Sequence, residues 1–233
     1  TANRRQRQMC IRDSFLSSKS KILIEMNHDS VKYFKNFSKI NNVYLLLGSI
    51  PITENDKLFN RSILINPDGD IISIYDKIHM FDITLKNGES YKESDFYSPG
   101  SELKITKVLG HSVGHTICYD LRYPKLYRAL AKKGSQIIVV PSAFTHTTGK
   151  AHWHSLIKAR AIENGVFILA PNQWGVNNEK RVTYGHTLIV DPWGETLAEA
   201  EDGEMIIAAE LDLNRVRECQ NAIPVLDNDR NFD

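Results

Sequence analysis

Apolar positions along the chain switch repeatedly between helical spacing and strand spacing. Val31, Phe34 and Phe37 fall on one side of a helix that runs to about Ile40, with Asp29 or Ser30 as its cap. The run VYLLLGSI (Val43–Ile50) reads as a buried strand. RSILINPDGDIISIYDK reads as two strands around a Pro-Asp-Gly turn at Asn66–Asp70. The polar stretch from Lys77 to Gly100 is too long for a simple connection, which predicts a functional segment or one ordered by packing.

Strands and helices then alternate. The pattern predicts strand Val113–Cys118, helix Pro124–Lys133, strand Gln136–Pro141, helix Ala151–Glu163 and strand Val166–Pro171. Leu126, Tyr127, Leu130 and Ala131 share one side of the first of these helices, which Pro124 opens and Gly134 closes. Strands His186–Asp191 and Met205–Leu211 flank a Pro-Trp-Gly turn, and a last helix, Asn214–Gln220, takes Asn214 as its cap. No internal repeat, low-complexity run or linker interrupts this order. It predicts an α/β fold with helix layers covering sheet.

Composition narrows the class. The chain has 233 residues, 42% hydrophobic and 24% charged, enough for one large domain with its own core. A formal net charge of +1 gives no reason to expect a nucleic acid or an acidic membrane surface as partner. Three cysteines, Cys10, Cys118 and Cys219, without CxxC spacing argue against a disulfide framework or a zinc knuckle. Reduced thiols in a cytoplasmic protein are the simpler expectation. No apolar run approaches the roughly 20 residues that cross a bilayer. The opening TANRRQRQMCIRDS is basic but leads into no hydrophobic segment, so it fails as a secretory signal. Its MCIRDS resembles a translated sequencing adapter. Residues 1–14 are therefore expected to be a non-native tail, with a disordered basic tail as the alternative, and residues 15–233 a single domain.

Candidate chemistry centres on GHTICYDLRYPKLYRAL, where Cys118 stands at the end of a strand and before a helix. The thiolate is the nucleophilic form, and a base or positive charge nearby is needed to make it useful at neutral pH. Lys77, in IYDKIHMFD, and Glu93, in SYKESDFYSPG, read on position alone as solvated side chains. His146, His152 and His154 invite a metal reading, but His152 and His154 would point to different faces of a helix. No carboxylate stands at ligand spacing, so no metal is expected. GxSxG, GxGxxG and phosphate-loop motifs are missing, which removes support for a serine hydrolase or a nucleotide cofactor.

Taken together, YDKIHMFD, GESYKESDFYSPG, GHTICYDLRYP, PSAF, TGKAHWHSLIKARAIEN and YGHTLIVDPWG resemble the nitrilase superfamily of carbon–nitrogen hydrolases, in the family's order from about Asn42 to Val225. The branch they most resemble is that of the nitrilase-like amidases, which include omega-amidase and deaminated-glutathione amidase. The resemblance implies a four-layer α-β-β-α sandwich, no cofactor, and a Glu-Lys-Cys catalytic set assisted by a second glutamate. Cys118 maps onto the nucleophile, Lys77 onto the lysine and Glu93 onto the assisting glutamate, with the backbone N–H of Tyr119 as an oxyanion donor. Asp120 and Arg122 match family positions and are read as a local ion pair shaping the turn, with substrate contact as the alternative. Arg160, Glu163 and Asn164 would brace the site from the neighbouring helix. The implied reaction is release of ammonia from a small carboxylate-bearing amide through a cysteine thioester. A nitrilase, an N-carbamoyl hydrolase or a catalytically dead binding module are the alternatives. The family's habit of pairing through the helices at Pro124–Lys133 and His152–Glu163 implies a homodimer or a larger homo-oligomer.

Three positions depart from the pattern. The general-base glutamate should follow a proline upstream of the Asp29–Ile40 helix, yet no Pro-Glu occurs there, and Glu25 lies too close to the helix. Its expected place falls before Phe15, and the family's first strand and helix are missing, so the chain as written is expected to be inactive and poorly stable. His154 stands where close relatives carry glutamate. His115 precedes Cys118 by three, where a small or aliphatic residue is usual.

Overall fold

The structure is a computed structural model that describes residues 25–230 apart from 86–87, 89 and 179–180. The positions read above as a non-native tail, and the place expected for the general base, lie outside these residues. The chain divides into two compact units, with the boundary between Lys104 and Ile105.

The first unit opens with α1 (Asp29–Asn41). Its cap is His28, whose ring nitrogen accepts the Ser30 N–H, one residue earlier than the sequence placed it. Strands β1 (Leu45–Glu54), β2 (Lys57–Ile65) and β3 (Ile71–Asp76) form an antiparallel sheet in chain order. Val31 of α1 packs with Leu47, Ile50, Ile52, Ile63 and Ile65, and Phe34 and Ile71 lie against that core. Burial of such aliphatic side chains is worth about 1.5–3 kcal/mol each and ties the helix to the sheet. The β2–β3 turn falls at Asn66–Asp70 as expected, because Asn66 Oδ1 accepts the Asp68 and Asp70 N–H groups at 3.1 and 2.8 Å.

β1 runs four residues past its expected end and turns back at Asn55 and Asp56, both with positive φ. That pair is a two-residue hairpin signal, since Asn and Asp tolerate left-handed backbone. The polar stretch after β3 is built into structure at its described residues. It holds a small hairpin of β4 (Asp82–Thr84) and β5 (Ser90–Lys92), followed by a single 3-10 turn, Glu93–Asp95.

The second unit is built on a six-stranded sheet. Its strands are β6 (Ile105–Val108), β7 (His111–His115), β8 (Ile137–Val139), β9 (Phe167–Ala170), β12 (Leu188–Val190) and β13 (Thr196–Glu199). The three central strands, β7, β8 and β9, are parallel. Helix α2 (Pro124–Lys132) connects β7 to β8, and α3 (His146–Asn164) connects β8 to β9. A separate hairpin, β10 (Trp174–Asn178) with β11 (Arg181–Tyr184), precedes β12.

Several expectations change here. α3 begins five residues earlier than predicted, because Thr145 caps it by accepting the Thr148 N–H. The partner of β12 is Thr196–Glu199 and not Met205–Leu211: Asp191 Oδ1 accepts the Trp193 and Glu195 N–H groups, so the chain reverses at once. In α4 (Asn214–Ala222), Asn214 is the first helical residue and its N–H goes to the Asp212 carboxylate. Each unit thus combines helix with sheet.

Candidate active site

Cys118 follows the carboxyl end of a parallel strand, the end at which open α/β sheets present ligands. Past β7, the backbone keeps its ladder to the β8 side for three more residues. Thr116 N–H donates to Val139 O at 3.2 Å and Cys118 N–H to Pro141 O at 3.0 Å. That continuity is why the sequence reads as strand up to the cysteine.

At Cys118 the chain turns sharply. Its φ is +50°, in the left-handed region, and Cys118–Arg122 form a 3-10 turn. A non-glycine residue held there costs free energy that the surroundings must offset. They do so through Asp120, fully buried, whose carboxylate accepts the Ile117 N–H at 2.9 Å. Arg160 of α3 donates from Nε to Leu121 O at 2.9 Å. Its guanidinium also lies 5.4 Å from the centre of the Tyr127 ring and donates to Glu163 at 2.9 Å. Asn164 in turn donates to Arg160 O. The Cys118 side chain remains partly exposed on top of this buried bracket.

Around the thiol turn the surface is aromatic and cationic. The Arg122 guanidinium stands 5.4 Å from the Phe144 ring centre and 6.0 Å from that of Tyr119, within 3.3 Å of His152 Nδ1. Tyr119 and Tyr123 meet edge to face at 5.5 Å. Burial, and then the hydrogen bond with Tyr119, push the Tyr123 phenol up to about 12, so it stays neutral in ordinary buffers. His115 is buried, with Nε2 3.2 Å from Thr106 Oγ1 on β6.

Lys77 and Glu93 sit in the first unit and neither is solvated. Both are 1% exposed, and the Lys77 ammonium donates to Glu93 Oε2. The same oxygen accepts the Phe81 N–H at 2.7 Å, while Glu93 Oε1 accepts from Asn60 Nδ2 at 3.0 Å. Ser49 Oγ donates to Asn60 Oδ1 at 2.5 Å, which fixes the amide's orientation. Burial and the negative charge of Glu93 push the Tyr97 phenol up. Ion pairs this deep persist only when further hydrogen bonds support them, and Glu93 takes two besides that of Lys77.

The backbone holds Lys77 as firmly as the side chains do. Its N–H donates to Asn60 O at 2.9 Å and its carbonyl accepts the Gly100 N–H at 2.8 Å. Gly100 has to be glycine, because a Cβ there would sit 2.3 Å from Asp76 O. Asn60 and Ser49 escaped sequence reasoning. The available signal was a lone amide directly after the apolar pair Leu58 and Phe59 in KLFNRSILI. Glu25 is exposed, three residues before the cap of α1, and joins neither group.

Residues 12–221 match the carbon-nitrogen hydrolase family. A deaminated glutathione amidase of Yersinia enterocolitica is 40% identical over 192 residues, covering 81% of this chain and 67% of that protein. An omega-amidase of Xenopus tropicalis is 36% identical over 197 residues, 84% of this chain and 71% of that one. Among solved structures, Saccharomyces cerevisiae Nit3, a member of branch 10 of the nitrilase superfamily, superposes with a TM-score of 0.76 at 35% identity over 84% of this chain and 70% of its own. The Caenorhabditis elegans NitFhit protein gives 0.79 at 31% identity over 88% of this chain and 51% of that longer one. This chain belongs to the carbon-nitrogen hydrolase family, within the nitrilase superfamily.

Proposed function

We propose that the chain is an amidase that releases ammonia from a small amide carrying a carboxylate, through a thioester on Cys118. The observation that carries this reading is the backbone of Cys118. It is a partly exposed thiol on left-handed backbone at the end of a parallel strand, in a family whose relatives here are named amidases.

The steps follow from the groups each unit holds. A carboxylate base takes the thiol proton; the glutamate expected in that role is sought before Phe15, outside the described residues. The thiolate bonds to the amide carbon and the carbonyl pair moves onto oxygen. The Tyr119 N–H and the Lys77 ammonium stabilise that oxyanion, the kind of contribution worth about 3–4 kcal/mol per donor in acyl transfer. Collapse of the intermediate expels the amine, which leaves as ammonia with the proton first taken from sulfur. Water then attacks the thioester carbon, giving a carboxylic acid and the free thiol. Glu93 holds the Lys77 side chain in place. Asp120 with Arg122 shapes the turn, and Arg160 with Glu163 and Asn164 braces it.

We read the working assembly as a homodimer or larger, joined through α2 and α3. Ile162 of α3, 52% exposed, is consistent with a face to be covered. Among the described residues no helix is long and apolar enough to cross a membrane. A partly exposed nucleophilic thiol suits a reducing compartment such as the cytosol. Light scattering behind a sizing column tests the assembly, and a monomer overturns it.

The activity has two tests. Ammonia release is measured with ω-amides of dicarboxylic acids beside nitriles and N-carbamoyl amino acids. In a chain that carries the general-base glutamate before Phe15, release from the amides, abolished in Cys118→Ala, is the expected result, and preference for either other class replaces the amidase reading. The chain as written is expected to release little or none. A nitrophenyl ester of a dicarboxylic acid reads the nucleophile separately, because its leaving group needs no general acid. A burst of nitrophenolate with acyl adduct on Cys118 is expected, and an adduct on Cys219 or none defeats the assignment.

A further inference from the structure

We infer that His154, His186 and Glu199, on the second unit, form a binding site for a divalent transition-metal cation. One ligand atom from each lies within 4.8 Å of the other two. His154 Nε2 stands 2.8 Å and His186 Nδ1 3.0 Å from the same carboxylate oxygen, Glu199 Oε1. The three side chains come from α3, from the segment entering β12, and from the end of β13. The sequence assigns no metal here because no carboxylate lies near the histidines along the helix. Glu199 arrives from 45 residues beyond His154, carried by the register that pairs it with Leu188.

Both rings are set before any ion arrives. His186 is held at φ +56°, and its carbonyl accepts the Trp153 indole N–H at 2.8 Å. The Tyr184 ring stacks on His186 with centroids 4.4 Å apart and meets His154 edge-on at 6.0 Å. The far nitrogen of His186, Nε2, lies 3.7 Å from Asp202 Oδ1, which also accepts the Trp174 indole N–H. A carboxylate behind a ligating histidine is the usual device for fixing its tautomer and raising its basicity. The cluster stays accessible, with the three side chains a quarter to just over a third exposed.

Donor chemistry sets the class of ion. Two imidazoles and one carboxylate suit zinc, cobalt or nickel and leave one position for water, whereas magnesium and calcium prefer oxygen alone. Ligands about 2.0–2.2 Å from a tetrahedral ion stand roughly 3.3–3.5 Å apart, so the present hydrogen-bonded spacing must open by a few tenths of an ångström. On binding, the ion replaces the two imidazole N–H···O contacts. A neutral ring moves its proton to the other nitrogen, and for His186 that nitrogen faces Asp202. A protonated ring releases its proton to solvent.

The test titrates Co2+ and, separately, Zn2+ into the full chain and into a Cys10→Ser/Cys118→Ala/Cys219→Ser chain, which removes thiolate ligation. One saturable equivalent is expected in both chains, with visible Co2+ bands lacking thiolate charge transfer and a Tm raised by Zn2+. His154→Gln and Glu199→Gln keep hydrogen-bonding capacity and fold, and each should weaken binding at least about tenfold. Far-ultraviolet circular dichroism checks the fold of both. Binding lost with the three cysteines, unchanged in the Gln variants, or unsaturated at millimolar metal overturns the site and leaves a histidine–glutamate bracket that only ties α3 to the sheet.

Discussion

Cys118 is partly exposed and stands on left-handed backbone, whereas Lys77 and Glu93 are buried to the same degree as Tyr75 or Ile117. The thiol is placed by main-chain geometry: a continued strand ladder, a buried carboxylate on the Ile117 N–H and an arginine on the Leu121 carbonyl. The ammonium is placed by a side-chain network through Glu93, Asn60 and Ser49. The two arrangements store their cost in different places. A strained φ is a small, fixed cost borne by one residue. A buried ion pair is balanced only while both partners and their hydrogen bonds are present.

The largest expected effect follows from that balance. Lys77→Met leaves the Glu93 carboxylate buried without its counterion, and Glu93→Leu leaves the ammonium so; each should lower unfolding free energy by about 3–5 kcal/mol. The double variant Lys77→Met/Glu93→Leu should lie well above the sum of the two, since no charge is then stranded. Urea unfolding of all four chains measures the coupling. Additive losses would show that the two charges do not depend on each other and would dissolve the contrast.

Next comes the backbone seat of Lys77. Gly100→Ala puts a methyl carbon 2.3 Å from Asp76 O, so strand β3 or the Gly100 loop must shift. Overpacking of this kind costs about 1–3 kcal/mol, and rigid backbone as the neighbour points to the upper end. Thermal unfolding reads it directly. A loss below about 0.5 kcal/mol would mean that the loop yields freely and does not hold Lys77.

The sequence alone disclosed different parts of these two regions for physical reasons. Hydrophobic spacing located α1, α2, the β2–β3 hairpin and the parallel strands, because each buries one face and the period records it. It missed β10 and β11, whose exposed Trp174, Val176 and Val182 give no inward face to read. It also misplaced the partner of β12, where the reversal rests on one aspartate side chain and not on a pattern. Cys118 was visible as a cysteine at a strand end, since strand and helix signals meet there. Lys77 and Glu93 read as solvated because charged residues in a polar stretch carry no mark of burial. What buries them is a network whose hydrogen-bonded pairs stand up to 33 residues apart. Only motif resemblance brought them forward.

On the thiol side the effects are smaller. Asp120→Asn keeps an acceptor for the Ile117 N–H but gives up its charge, which is worth about 1 kcal/mol in a buried hydrogen bond. Its stability loss should therefore fall well short of that of Lys77→Met. Cys118 should still acylate in the ester burst, more slowly as the turn loosens. A loss as large as that of Lys77→Met would make the thiol turn a second charge-dependent element.

The smallest effect is the most specific. In a regular helix or strand, glycine is about 0.5–1 kcal/mol less stable than alanine because it loses more backbone freedom on folding. At φ +50° that order should reverse. Alanine retains the Cβ clash of the left-handed region, about 1–2 kcal/mol, and glycine does not. Cys118→Gly should thus unfold at or slightly above the temperature of Cys118→Ala, with both close to the parent and neither acylated by the ester. If alanine proves the more stable by half a kilocalorie or more, the backbone at Cys118 carries no strain. The nucleophile would then owe its position to the buried bracket of Asp120 and Arg160 alone.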